Sequence, residues 1–231
     1  MASLTNALYL ASVWVVPVVI AITLHEAAHG YVAWRLGDDT AMRLGRVTFN
    51  PLRHVDPFGT ILLPGLLLLL RAPFLFGYAK PVPVNFGRLL RPRRDMILVA
   101  AAGPAINILL AFLAALLFHG LPFVPETAQD WVAENLQNAI MINLVLAVFN
   151  MLPIPPLDGG RVLTGLLPAP LGRRFGRLER YGILLVLALL VLLPTLGAEL
   201  GMNLNVLPWL LAEPVDVLFR AIAKLAGFGW Q

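Results

Sequence analysis

Two histidines four residues apart, with a glutamate directly after the first, sit inside the apolar tract Thr23–Trp34 as His25, Glu26 and His29. On a helix this spacing stacks both imidazoles on one face, where they can meet a single cation. Glu26 then projects close enough to act on a water at that cation. Ionisable groups at membrane depth cost on the order of a few kcal/mol unless they are paired or used, so the cluster implies a function. The chain has no cysteine, which leaves only nitrogen and oxygen ligands and excludes a thiolate nucleophile or a disulfide framework.

A hydrolytic metal site needs a third protein ligand and an open position. The candidate lies far downstream, in NMLPIPPLDGGRV (Asn150–Val162), where prolines interrupt a hydrophobic helix and Asp158 precedes Gly159 and Gly160. The glycines permit a tight turn, and broken backbone at membrane depth is tolerated only against protein or a water-filled cavity.

The elements that must bring these groups together are membrane helices. The chain of 231 residues is 59% hydrophobic and 13% charged, far from the soluble average. Long apolar runs cover about 8–34, 96–118, 133–152, 181–196 and 206–226. A shorter run, Phe58–Leu70, has basic stretches on both flanks and carries Pro64 and Gly65, so it is expected to re-enter or lie in the interface. No basic n-region or A-x-A-like site marks a cleavable leader, so the first run is expected to be retained. If the five runs alternate, all 17 Lys and Arg fall on one side, the cytoplasmic one. That distribution accounts for the net charge of +4 without nucleic acid. It also brings His25, His29 and Asp158 to similar depth.

The expected fold is therefore an all-α polytopic membrane protein with about four to five transmembrane helices, a re-entrant segment and short cytoplasmic-side strands. The strands, or extended loops, are expected in TAMRLGRVTFNP and GYAKPVPVNFG. Residues 1–231 form a single membrane-embedded domain, with a core at about 8–162 and C-terminal helices at about 181–226.

Other polar residues have both a bland and a functional reading. Asn143 and Asn150 lie seven apart on nearly one helix face, as glue between helices or, for Asn150 above all, as an oxyanion or substrate-backbone donor. His54 and Asp56 could support or gate the site, or cap a turn. Asn107 and Gly103 read as packing, His119 as interfacial, and Arg88–Arg94 as a lipid-headgroup anchor. A strand edge near Arg43–Phe49, centred on Val47, could hold an unwound peptide.

HEAAH, the N-x-x-P-x-P-P-L-D-G run, GPAIN at Gly103–Asn107 and NPLRHVDPFG at Asn50–Gly59 together resemble the site-2 protease family of intramembrane zinc metalloproteases. The resemblance spans about 8–162, in a compact prokaryotic form without a PDZ or CBS domain. It implies one Zn2+ per chain on His25, His29 and Asp158, with Glu26 as general base. It also implies peptide-bond hydrolysis in transmembrane protein or peptide substrates within the lipid bilayer, such as anti-sigma factors or remnant signal peptides. The location it implies is a multi-pass one in a prokaryotic cell membrane, with the active site towards the cytoplasm. A divalent-metal transporter or channel would use the same His, Glu and Asp cluster; the absence of a repeated half speaks against it.

Overall fold

The opening helix α1 (Leu4–Arg35) continues through Pro17 and is apolar on nearly every face. Leu8, Leu10, Val15 and Val16 are exposed, the pattern of a helix bathed in lipid rather than water. It ends where Gly37 takes a φ of 107°, with the amides of Gly37 and Asp38 turned back onto the carbonyls of Trp34 and Ala33. The computed structural model describes residues 4–62, 66 and 79–228.

After one helical turn, α2 (Thr40–Arg43), the chain reaches α3 (Pro92–Leu117) and α4 (Glu126–Asn150). These two and α1 form the core. Next come α5 (Asp158–Leu166), α6 (Ala169–Gly176), α7 (Gly182–Leu187), α8 (Leu193–Glu199) and α9 (Val206–Leu225). Among the described residues, four stretches are long and apolar enough to cross a membrane: Leu8–Arg35, Pro92–Phe123, Glu126–Asn150 and Ala169–Glu199. The 206–226 run is not among them, because α9 carries Glu213, Asp216, Arg220 and Lys224.

Helices α1 and α3 are antiparallel, since His29 meets the Val99 carbonyl while His25 meets Asn107. At the opposite end of α1, Trp131 Nε1 donates to Ser12 Oγ at 3.0 Å and Asn138 Nδ2 to the Val13 carbonyl at 3.0 Å. An indole N–H and a side-chain amide thus join α4 to α1, as expected for polar residues in an apolar bundle. Asn135 instead bonds its own helix, at Trp131.

Three expectations are corrected. No strand forms among the described residues. Leu44 and Gly45 are turn and Val47–Phe49 are bend, and Ala79–Asn85 carry no regular secondary structure. Pro81 and Pro83 carry no amide hydrogen, and the amides of Val82 and Asn85 go to the side chains of Glu26 and Asp38 rather than to a neighbouring strand. The proposed edge at Val47 is likewise absent, and Val47 instead packs over Gly30.

The charge distribution is also revised. Val186 and Leu190 pack into one apolar cluster with Leu152 and Leu157, and Leu207 and Leu210 return to that same cluster. Helix α9 then runs antiparallel to α4, placing Ile222 and Ala226 with Ala115 and Ile140. His119 Nε2 bonds the Ala226 carbonyl at 2.7 Å, and its ring stacks on Phe228. Arg220 and Lys224 therefore lie towards the end of the bundle opposite to Arg35 and Arg93, and His119 is a helix-end clasp.

Of the expected re-entrant run, Pro57–Leu62 form a short π-helical turn, and Pro64 and Gly65 lie outside the described residues. Asp56 caps that turn, its Oδ1 accepting from the amides of Phe58 and Gly59 at 3.0 and 2.7 Å.

Candidate metal centre

One turn of α1 separates His25 from His29, and both side chains are buried against α3. Closeness is possible because Gly103 of α3 has no side chain there. A Cβ at that position would lie 2.5 Å from both His25 Cε1 and His29 Nε2. The third group arrives from the far side of the sequence. After α4 the Leu152–Leu157 turn, with a cis Pro155–Pro156 bond, reverses the chain so that Asp158 opens α5 facing the histidines.

His25 Nε2 and His29 Nε2 lie 3.1 Å apart, and Asp158 Oδ2 lies 3.2 and 3.3 Å from them. Among the described residues these three form the group whose ligand atoms could hold a metal ion. Tetrahedral zinc with bonds of about 2.0–2.1 Å separates its ligands by about 3.3 Å, so the triangle has the size of one tetrahedral face.

The hydrogen bonds behind the rings fix what the front atoms are. His29 Nδ1 lies 2.7 Å from the Val99 carbonyl, which can only accept, so Nδ1 carries the hydrogen. His25 Nδ1 donates to Asn107 Oδ1 at 2.6 Å. That orientation follows because the Asn107 amide nitrogen donates to Asn143 Oδ1 at 2.7 Å and to the Ala21 carbonyl at 3.4 Å. In the neutral rings both Nε2 atoms are therefore lone pairs. They converge with a buried carboxylate oxygen, Asp158 Oδ2, that receives no hydrogen bond. Three acceptors facing one point without a donor repel one another unless a cation lies between them, so the donor set fits zinc.

The group opens into a cleft of about 350 Å³, bordered by Glu26, Asn150, Arg161, Val82, Phe149 and Val186 among others. Glu26 faces this cleft and its Oε2 accepts from the Val82 amide at 2.7 Å. Asn150 also borders it, with Nδ2 on the Leu146 carbonyl of its own helix.

Asn143 does not border the cleft. It is buried behind Asn107, one step removed from His25, with its Oδ1 accepting from Asn107 Nδ2. His54 is also elsewhere: its Nε2 donates to the Thr48 carbonyl at 3.1 Å and its own carbonyl accepts from the Lys80 amide, and with Asp56 it belongs to a local turn. Sequence reasoning missed Asn107 as the partner of His25, and Arg161, which follows Asp158 by three residues. Arg161 ties the cleft mouth together through Glu179 at 2.6 Å and the Phe86 ring at 5.8 Å. The spacing of Arg161 from Asp158, nearly one helical turn, was the available signal.

Comparison with known proteins agrees with this arrangement. Residues 123–193 match the model of peptidase family M50. The chain is 39% identical over 182 residues to "Putative zinc metalloprotease YwhC" of Bacillus subtilis (strain 168), covering 77% of this chain and 79% of that protein. It is 34% identical over 192 residues to "Putative zinc metalloprotease Rip2" of Mycobacterium tuberculosis (strain ATCC 25618 / H37Rv), covering 83% and 70%. No solved structure gives a significant match. A motif pair that brings three cation-seeking atoms together, on a chain aligned across most of its length with such relatives, leads to one assignment: the chain belongs to peptidase family M50, the site-2 protease family of zinc metalloproteases.

Proposed function

We propose that this protein is an intramembrane zinc metalloendopeptidase that cuts peptide bonds within or near transmembrane segments of other membrane proteins. The observation that carries the reading is the convergence of His25 Nε2, His29 Nε2 and Asp158 Oδ2 within 3.1–3.3 Å of one another, in a cleft that Glu26 also faces. His25, His29 and Asp158 hold one Zn2+ per chain in this reading. Bound zinc supplies Lewis-acid polarisation of a carbonyl and lowers the pKa of a water.

The chain's own groups do the remaining work. Glu26 accepts a proton from the attacking water as its oxygen bonds to the scissile carbon, and delivers a proton to the amine nitrogen as the C–N bond breaks. Asn107 and the Val99 carbonyl keep the two imidazoles in one tautomer and orientation. Asn150 contacts a peptide backbone or developing oxyanion in this reading, which its position at the border of the cleft supports.

The walls favour an apolar peptide: Ile22, Val84, Val99, Leu146, Phe149 and Ile183 line the same space. A helical substrate hides its carbonyls in i to i+4 bonds and must unwind locally before one is reached. Such segments come from single-pass proteins or remnant signal peptides. Arg35, Arg43, Arg88, Arg91 and Arg93 crowd the end of the bundle where α1 finishes and α3 begins, which supports a multi-pass protein whose site faces the cytoplasm, and the bacterial relatives support a prokaryotic cell membrane. Family membership favours hydrolysis over metal transport.

The test is zinc analysis of the purified protein together with cleavage of a panel of transmembrane peptides. One zinc in both wild type and Glu26→Gln, with only wild type cutting, is the expected result. Full cleavage by Glu26→Gln, or by metal-free protein, would overturn the reading.

A further inference from the structure

The stretch from Lys80 to Asn85 borders the cleft, and its two prolines leave few backbone donors. One of them, the Val82 amide, reaches Glu26 Oε2 at 2.7 Å. This donor is firmly held. The Lys80 amide donates to the His54 carbonyl at 2.8 Å. Buried Arg46 stretches its Nη2 to the carbonyls of Lys80 and Pro81 at 2.7 and 3.4 Å. The Asn85 amide donates to Asp38 Oδ2 at 2.6 Å. Val82 itself is buried on Gly30, the residue directly after His29, where a Cβ would lie 3.0 Å from Val82 Cγ1. Helix α1, the connection that follows it and the His54 turn thus all anchor this one segment.

We propose that Lys80–Asn85 is a positioning element for the general base, in which the Val82 amide fixes one oxygen of Glu26 and leaves the other for the attacking water. The proposal rests on the assignment of Glu26 as base. A glutamate has three side-chain torsions, and an unanchored carboxylate would spread over several rotamers. A charge-assisted bond from an immobile amide selects one of them before substrate arrives. Arg46 acts at one remove, by holding the carbonyls on the N-terminal side of Val82.

The decisive variant is Val82→Pro in the zinc-loaded full chain. It deletes the donor from a backbone without regular secondary structure that is already flanked by prolines, Pro81 and Pro83, a setting proline tolerates. Cleavage of a transmembrane peptide should show kcat reduced roughly 10- to 100-fold, the loss expected for a hydrogen bond to a charged group. KM and zinc stoichiometry should match wild type. Val82→Ala, which keeps the amide and removes only side-chain packing, should lose clearly less kcat than Val82→Pro, and an equal loss in the two would overturn the role of the amide.

Arg46→Met should lower kcat in the same direction but less, with Arg46→Lys restoring part of the loss; this pair decides the matter if Val82→Pro does not fold. Hydrogen exchange at the Val82 amide should be slow in wild type and in Glu26→Gln, and faster in Glu26→Ala. Unchanged or raised kcat in Val82→Pro at full zinc loading would overturn the proposal, as would an Arg46→Met variant that alters only KM or zinc content. Either of those results beside an inactive Glu26→Gln would leave the base assignment standing, whereas an active Glu26→Gln would remove both.

Discussion

His25 and Asn107, 82 residues apart in sequence, are joined at 2.6 Å in a fully buried contact, and the same asparagine hands its amide hydrogens to Asn143 and to the Ala21 carbonyl. The imidazole is thereby held by a chain of amides crossing three helices. Truncating Asn107 to Ala leaves Nδ1 of His25 without an acceptor and the ring free to turn. Zinc affinity, read by competition with a chromophoric chelator, should fall roughly 10- to 100-fold. Asn107→Asp should recover much of it, and Asn143→Ala should cost less than Asn107→Ala. Equal zinc affinity in all three variants would show that the amide chain only packs.

Gly103→Ala tests the close approach of α3 to His25 and His29 of the candidate metal centre. The added methyl would lie 2.5 Å from His25 Cε1 and His29 Nε2, and 2.6 Å from His25 Nε2. Neither ring can retreat without losing its partner behind. Elemental analysis after dialysis should find the protein largely zinc-free although still helical by circular dichroism. A variant holding one zinc per chain would mean that α3 moves away at little cost.

Asp38 offers a pH-dependent readout away from the centre. Burial pushes its carboxyl up, but the Thr40 hydroxyl, the amides of Asn85 and Thr40 and the nearby Arg88 more than offset this, holding it below the ordinary carboxylate value. A group depressed on folding stabilises the native state above its unfolded pKa of about 3.9, and that contribution is lost as pH falls through the lower folded value. Asp38→Asn should lower the melting temperature in detergent at pH 7, by an amount corresponding to about 1–3 kcal/mol. It should also flatten the fall in melting temperature below about pH 4. Parallel curves for wild type and variant across that range would count against the assignment.

The direction of α9 can be read by labelling, since the chain has no cysteine to confuse the signal. Single cysteines at His119 and Lys224 should react with a membrane-impermeant maleimide from the same side, and one at Arg174 from the other. Reaction of Lys224→Cys together with Arg174→Cys would restore simple alternation of five spans.

The convergence of His25, His29 and Asp158 was legible because the two motifs are local: helical periodicity places His25 and His29 together, and Asp158 follows a helix that must return to the same end. What remained hidden depended on rotation and direction. Asn143 and Asn150 share a face of α4, but only their depth decides that one backs Asn107 while the other borders the cleft. Hydropathy gives the length of an apolar run and not its heading, so the return of Leu207 to the cluster of Val186 reversed the expected placement of Arg220 and Lys224. The β-branched Val82 and Val84 suggested strands, yet the amides of Val82 and Asn85 were claimed by carboxylates distant in sequence, which composition does not reveal.

His25 and His29 enter the centre from the first helix and Asp158 from about 130 residues later. An ion held there is a cross-link closing a very long loop, the geometry in which a clip removes much chain entropy from the unfolded ensemble. Fold and cofactor are then thermodynamically linked. Each tenfold rise in free zinc above its dissociation constant should add about 1.4 kcal/mol to the resistance of the bundle to unfolding, so metal supply would govern the lifetime of the protein as well as its chemistry.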